Sequence, residues 1–206
     1  RTATADIRYH FPEKQGRTIS FGISSMLQNS RNKGIEYLVP EYELADVGAF
    51  VMAKKSYDKL DISGGLRYDM RFQNGDALYL DSSGIKTSEG AGAQLLFPAF
   101  NSTFRGISGS FGATYLISKI LIGKANISRG YRAPNIAELA SNGAHQGTLR
   151  YELGDSKLKP ENSLQFDFDV ALNTEHFSFE TDFFLNQIQN FIFPVKIAAV
   201  GGGDSI

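Results

Sequence analysis

Residues 163–173 read SLQFDFDVALN, from Ser163 to Asn173. Leu164, Phe166, Phe168, Val170 and Leu172 alternate with Gln165, Asp167, Asp169 and Ala171. A period of two marks a β-strand, because successive side chains point to opposite faces of a sheet. No helix places five consecutive alternate residues on one face. One row is apolar and aromatic, and the other is largely acidic or amide-bearing.

The same pattern recurs outward in both directions. After it, Phe177, Phe179, Phe183 and Leu185 alternate with Ser178, Glu180, Asp182 and Asn186. Before it, Leu60, Ile62, Leu66, Tyr68 and Met70 face Asp61, Ser63, Arg67, Asp69 and Arg71. At the start, Ala3, Ala5, Ile7, Tyr9 and Phe11 alternate with Thr4, Asp6, Arg8 and His10. Weaker stretches lie near Thr18–Met26, Ala45–Lys54, Arg105–Ile117 and Leu121–Arg129, which makes eight in all.

The connections between these stretches are asymmetric. Short ones fall at Pro12–Gly16, Ser56–Asp58, Ser118–Lys119 and Thr174–Glu175. Long ones run over Leu27–Glu41, Gln73–Ser102 and Tyr131–Asn162. Short turns at one end and long loops at the other are the wiring of a transmembrane β-barrel of the bacterial outer membrane. Strands of roughly ten residues suit a tilted crossing of the bilayer. A soluble antiparallel sandwich with one wet face is the competing fold. Charges deep within the strands favour a water-filled lumen, and an aromatic apolar row favours lipid.

Composition narrows the classes further. The chain has 206 residues, no cysteine and a formal net charge of −1. That charge argues against a nucleic-acid partner. The absence of cysteine fits passage through an oxidising periplasm. No run of about 18 apolar residues suggests a membrane-spanning helix. Several of the 21 glycines sit inside strands, among them Gly48, Gly64, Gly65 and Gly112, where they ease curvature. Arg1 leads straight into strand-like sequence with no signal-peptide pattern. Strands one and eight both carry their outer ends on the long-loop side. We therefore expect a single partial barrel domain over residues 1–206, cut from the middle of a larger barrel, without a plug domain or final strand.

Between strands six and seven runs SRGYRAPNIAELASNGAHQGTLRYELGDSKLKPEN, residues Ser128–Asn162. It resembles a signature of the TonB-dependent receptors. In that family a strand ends in an Arg-Gly-aromatic-Arg-Ala-Pro run followed by Glu-Leu, and a loop later closes on Asn-Leu-Lys-Pro-Glu. The matching residues are Arg129, Gly130, Tyr131, Arg132, Ala133, Pro134, Glu138 and Leu139, then Leu158, Lys159, Pro160 and Glu161; Lys157 stands where the Asn usually is. Phe184, Asn186, Ile188 and Asn190–Ile192 are similar to the family's next strand. The physical reading of the motif is structural. Pro134 biases Ala133 away from helix and ends the strand. Asn135 is placed to cap a short turn containing Glu138, and Pro160 suits the first position of a strand.

The resemblance implies a barrel of about 22 strands plugged by an N-terminal domain. It also implies outer-membrane lipid around the wall and uptake energised by the TonB complex through a segment outside this chain. The expected cargo is a metal ion or metal chelate: zinc, an iron siderophore, haem or cobalamin. The loop Ala140–Gly154 is similar to that of a branch containing zinc receptors. There His145 is the candidate metal ligand, with Tyr151, Glu152 and Asp155 nearby, because imidazole with carboxylate help suits zinc. A lone histidine in a polar loop is also commonly just solvated. Arg67 and Arg71 are candidates for contact with an anionic chelate, or members of a salt network on the wall. No cofactor resident in the chain is expected. A passive porin or structural barrel is the alternative function. An outer-membrane enzyme is disfavoured, since no nucleophile with a base stands out. The apolar run Gln94–Phe100 is expected to pack over the mouth, with ligand contact as the alternative.

Overall fold

The computed structural model describes residues 1–34, 37–145, 150–198 and 204–205; for His145, Ala198, Asp204 and Ser205 this covers the backbone only. The elements, in order, are β1 (Thr2–His10), β2 (Arg17–Ser30), β3 (Tyr42–Ser56), β4 (Leu60–Gly75), β5 (Leu78–Leu80), β6 (Lys86–Thr87), β7 (Gln94–Phe97), β8 (Phe100–Leu116), β9 (Leu121–Arg132), α1 (Ile136–Ala140), β10 (Asn142–His145), β11 (Arg150–Leu153), β12 (Glu161–Asn173), β13 (Ser178–Gln189), β14 (Ile197–Ala198) and β15 (Asp204–Ser205). Eight of them form one antiparallel sheet in the order β1-β2-β3-β4-β8-β9-β12-β13. The sheet is open, with β1 and β13 at its edges. No helix among the described residues is long and apolar enough to cross a membrane.

Direct cross-strand partners share a face, so the register sorts the wall into two surfaces. The outer row joins Ile7, Ile23, Ala49, Tyr68 and Ile107 across five strands. Ile127, Phe166 and Leu185 extend it on the last three. Of the side chains expected against lipid, Ile7, Leu66, Ile107, Phe111, Phe166, Phe168, Phe179 and Phe183 are exposed. Ile62 is half-buried on the same row, between Lys55 and Ala113. Aromatic side chains cluster toward the short turns. Tyr9, Phe11 and Phe21 meet at 5.0–5.9 Å, and Phe177 stacks on Phe179 at 6.5 Å.

The inner row is polar: Ser24, Asp46, Arg67, Asp69, Arg71, Ser108, Asn126, Gln165, Asp167 and Asp169. Phenylalanines interrupt it, among them Phe50, Phe104 and Phe184, partners of Arg67, Arg71 and Asp167. Phe50 lies beneath the Arg8 guanidinium, 5.2 Å from the ring centre. Phe184, partner of Asp167, is 75% exposed.

The strands run further toward the long loops than the alternation alone suggests. β4 continues to Gly75, β8 begins at Phe100 and β9 reaches Arg132. Their extensions lose the strict apolar-out rhythm because they stand above the apolar band. β13 ends at Gln189 rather than near Ile192, where the backbone N–H instead donates to Glu161. Two of the long connections, expected as loops, carry short strands: β6-β5-β7 form a small sheet in the second, and β10-β11 of the third are joined by β15 and β14 from the segment after β13. Their strands have only two to four residues, too short to show a period.

Candidate functional site

The buried hydrophobic core lies mainly at the mouth. Leu44, Leu78, Phe97, Ala133, Ile136 and Leu139 are all buried, together with Pro40 and Pro134. Full burial of a Leu or Phe side chain is worth about 1.5–3 kcal/mol, so this cluster holds the three long connections together. Leu44 and Gln73 are cross-strand partners on the inner row. The cap therefore folds inward, over the lumen. Gln73, fully buried, donates from Nε2 to the Pro134 carbonyl at 3.0 Å, while its Oε1 has no hydrogen-bond partner.

The loops also interlock through polar contacts. Asn142 donates its side-chain amide to the Leu96 carbonyl at 2.7 Å and its backbone N–H to Leu38 at 3.0 Å. A methyl group at Gly143 would overlap the Tyr37 carbonyl, so glycine lets β10 approach that segment. Near the first loop, Arg31 pairs with Asp76 at 2.6 Å, Glu43 at 3.3 Å and Glu41 at 3.4 Å, and Lys86 pairs with Glu41 at 2.9 Å. The hydrogen bond from Lys86, with Arg31 adding to it, holds the Glu41 carboxyl below the usual carboxylate range.

The Arg-Ala-Pro segment builds the joint between wall and cap. Asn135 caps α1: its side chain accepts from the Glu138 N–H at 2.9 Å, and the Glu138 carboxylate accepts from the Asn135 N–H at 2.8 Å. This reciprocal capping box satisfies two orphan donors of the helix start. Arg132 binds both oxygens of Glu138 and also pairs with Glu161. The Pro160 carbonyl accepts from Asn190 at 3.1 Å. Leu158 lines a pocket of about 640 Å³ beside Ala137, Ser141, Glu152, Asp155 and the stacked Phe191–Phe193 pair. Ser141 is buried, and its hydroxyl has no hydrogen-bond partner.

The candidate ligand residues are distributed over several places. His145 ends β10 opposite Arg150; its side chain, and residues 146–149, lie outside the described residues. The Tyr151 hydroxyl donates to Asn142 at 2.7 Å. Asp155 accepts from the Lys157 N–H at 2.8 Å. Glu152 faces the pocket just described. Arg67 and Arg71 lie on the inner wall. Arg67 engages Asp69 at 2.6–2.9 Å and Ser24 at 2.7 Å; Arg71 engages both oxygens of Asp46 at 2.7 Å. Each guanidinium is thus neutralised by a carboxylate.

Between these pairs and Tyr131 lies a cavity of about 300 Å³. The Tyr131 hydroxyl is buried there without a partner. Its ring lies over Gly106, where a methyl group would overlap it. Sequence reading did not single out Tyr131 and Asp46 as site residues. The position of Tyr131 within the Arg-Gly-aromatic-Arg run was the available signal. Lower on the inner wall, Asp169, Glu180 and Asp182 bring carboxylate oxygens within 4.8 Å of one another, with Lys124 at 2.7 Å from Glu180.

A one-layer wall with a lipid-type outer face, a charged inner face and an inward-folded loop cap defines the class: a section of a transmembrane β-barrel. The family model described as "TonB dependent receptor-like, beta-barrel" matches residues 5–205, and the chain belongs to that family. It is a family of transporters and receptors, not enzymes, and its members are bacterial outer-membrane proteins. Among solved structures, the copper transporter OprC superposes with a TM-score of 0.71 at 17% identity, covering 99% of this chain and 32% of that one. The Serratia marcescens hemophore receptor HasR, solved with HasA and heme, gives 0.69 at 16%, with 99% and 36% covered. The FrpB iron transporter from Neisseria meningitidis gives 0.61 at 14%, with 91% and 28% covered. The chain therefore spans about a third of the length of these structures. A sequence search of the curated proteins finds no match.

Proposed function

We propose that this chain supplies wall and outer loops to an outer-membrane importer that takes up a metal ion or a metal chelate by TonB-energised transport. The observation that carries the reading is the loop cap. A porin mouth needs to stay open, whereas here the family's Arg-Ala-Pro segment and two further loops fold inward and bury a shared core over a polar lumen. The named relatives carry copper, haem or iron, which supports a metal-centred cargo. In this reading a plug domain from elsewhere in the receptor occupies the lumen, and the TonB complex acts on that plug.

Within the cargo class, a zinc ion is the reading that assigns a role to His145, with Glu152 or Asp155 as carboxylate partner. Three or four ligands make a tight zinc site, so further ligands must come from outside this loop. Calorimetry of the receptor and its His145→Ala variant tests this. Zinc binding that weakens in the variant, and in the parent as pH falls through about 6.5, supports it. Unchanged zinc affinity in the variant removes His145 from the site and leaves a chelate as the cargo. Accumulation assays in cells with and without the receptor test the uptake itself.

A further inference from the structure

Arg8 of β1, Arg67 of β4 and Arg129 of β9 line one shallow concavity of about 420 Å³, with Phe50, Ser108 and Ser110 among them. No carboxylate lines it. The ladders join Arg8 through Gly22 and Phe50 to Arg67 and Ser108, which places the concavity on the inner row of the wall. Arg129 reaches it from the far side, where the β8–β9 ladder ends at the Gly109–Arg129 pair. Just beyond that pair Tyr131 also turns to the lumen, its ring over Gly106, the inner-row partner of Asp69.

The three guanidiniums differ in what holds them. Arg67 is neutralised by Asp69. Arg8 and Arg129 are exposed and form no ion pair among the described residues. Arg8 lies over the Phe50 ring at 5.2 Å. That ring leans across β2 above Gly22, where a methyl group would overlap it. Stacking on a ring occupies the face of a guanidinium and leaves its in-plane N–H groups free. Arg129 gives one N–H to Asn162 at 3.0 Å and keeps the rest of its five donors. The Ser108 and Ser110 hydroxyls make no hydrogen bond among the described residues and can also donate.

Like charges gathered in one concavity raise the local positive potential, and the apolar surface of Phe50 and Met52 focuses it. A guanidinium fork matches a planar oxyanion with two parallel N–H bonds. The volume falls in the range of pockets that take organic molecules, roughly 300–1,000 Å³. We propose that this concavity binds an organic acid in the lumen, its carboxylate held between Arg8 and Arg129 and its apolar body against Phe50. The site lies on the wall strands, away from the loop cap. The inference rests on the inner row facing the lumen and not on the identity of the cargo.

Fluorine NMR of para-fluorobenzoate titrated with the detergent-solubilised receptor tests it. Saturable line broadening is expected with the parent, and none for the uncharged isostere para-fluorobenzamide. Arg8→Gln and Arg129→Gln should each weaken binding roughly tenfold, the loss of one charge-assisted pair. Arg129→Lys should recover part of that loss, because lysine keeps the charge but not the fork. Arg105, exposed on β8 as the partner of Met70, lies outside the concavity. Arg105→Gln should leave the affinity within about twofold, since salt screens a distant exposed charge. Heat-modifiable migration checks that each variant keeps its barrel. His145→Ala, which tests the zinc reading, should leave benzoate binding unchanged, so the two readings fail separately. Unchanged affinity in both Arg8→Gln and Arg129→Gln, or an equal loss in Arg105→Gln, would overturn the site. Binding of the benzamide as tight as that of the benzoate, or displacement of benzoate by an equal concentration of inorganic phosphate, would overturn the organic acid as its ligand.

Discussion

Arg132 holds both carboxylate oxygens of Glu138 at 2.9 Å. The two residues are six apart, yet the pair joins the end of β9 to the first turn of α1. The Nε of Arg132 also reaches Glu161, so one guanidinium ties three elements of the rim. Glu161 continues the chain of contacts by accepting from the Ile192 N–H at 2.6 Å. The motif thus acts as a clamp between wall and cap, and its planar fork explains the use of arginine rather than lysine.

Arg132→Lys should therefore loosen the cap without collapsing the wall. Lysine cannot span two carboxylates in a fixed plane. Arg132 is 43% exposed, so solvent screens the pairs, and a double-mutant cycle with Glu138→Gln should give a coupling of about 1 kcal/mol. Limited proteolysis should show faster cleavage within residues 133–160, while heat-modifiable migration of the barrel stays intact. Unchanged cleavage would show that the buried core alone fixes the cap.

Phe168 and Asp167 test the assignment of faces. Phe168 partners Ala125 and Phe183 on the outer row; Asp167 partners Asn126 and Phe184 on the inner one. In the receptor, Phe168→Arg should cost about 2–4 kcal/mol if the position lies near the bilayer midplane. Asp167→Asn should cost far less, because Asn keeps an acceptor for Asn126, now at 3.1 Å. Equal costs in a refolding titration into lipid would contradict the two-faced wall.

What the sequence made legible follows from periodicity. Strand interiors such as Ser163–Asn173 announce themselves because a period of two needs no partner to be read. The cap of α1 was also legible, since Asn135 and Glu138 have the spacing of a reciprocal capping box. The cap core was not. Leu78 and Phe97 sit in strands of three and four residues, and Gln73 meets Pro134 across 61 positions. No local signal encodes such a contact. The arginines show the same divide. Arg67 and Asp69 lie on one strand face and can be paired by inspection, whereas Arg71 with Asp46 requires the β3–β4 register.

Gly48 shows how little room the inner wall leaves. It is the cross-strand partner of Asp69, and a methyl group there would overlap the Arg67 guanidinium and the Asp69 carboxylate. Gly48→Ala should displace the ends of those two flexible side chains and cost about 1 kcal/mol, the low end of overpacking. Gly123→Ala is the comparison, because its nearest new neighbour would be Ile117 at 3.4 Å, an ordinary contact. A refolding titration should separate the two clearly. Equal effects would mean that the Arg67–Asp69 pair adjusts freely and does not brace the wall.

The loop network around Glu41 should respond to acid. Lys86 and Arg31 hold its carboxyl below the ordinary value near 4.5. A carboxylate with a depressed folded value stabilises the fold above its unfolded value, and that stabilisation is lost as pH falls through the folded one. The window therefore lies below about pH 4.5, and neutral solutions should show no change. Glu43 and Asp76 pair with the same Arg31. Hydrogen exchange at the amides of residues 76–87 should accelerate below that pH, beyond the intrinsic pH dependence of exchange. In Glu41→Gln the acid-dependent component should shrink, and protection at neutral pH should already be reduced. Lys86→Met should act in the same direction, because Lys86 is the larger cause of the shift. If both variants keep the parent's acid response, Glu41 is a bystander in the network.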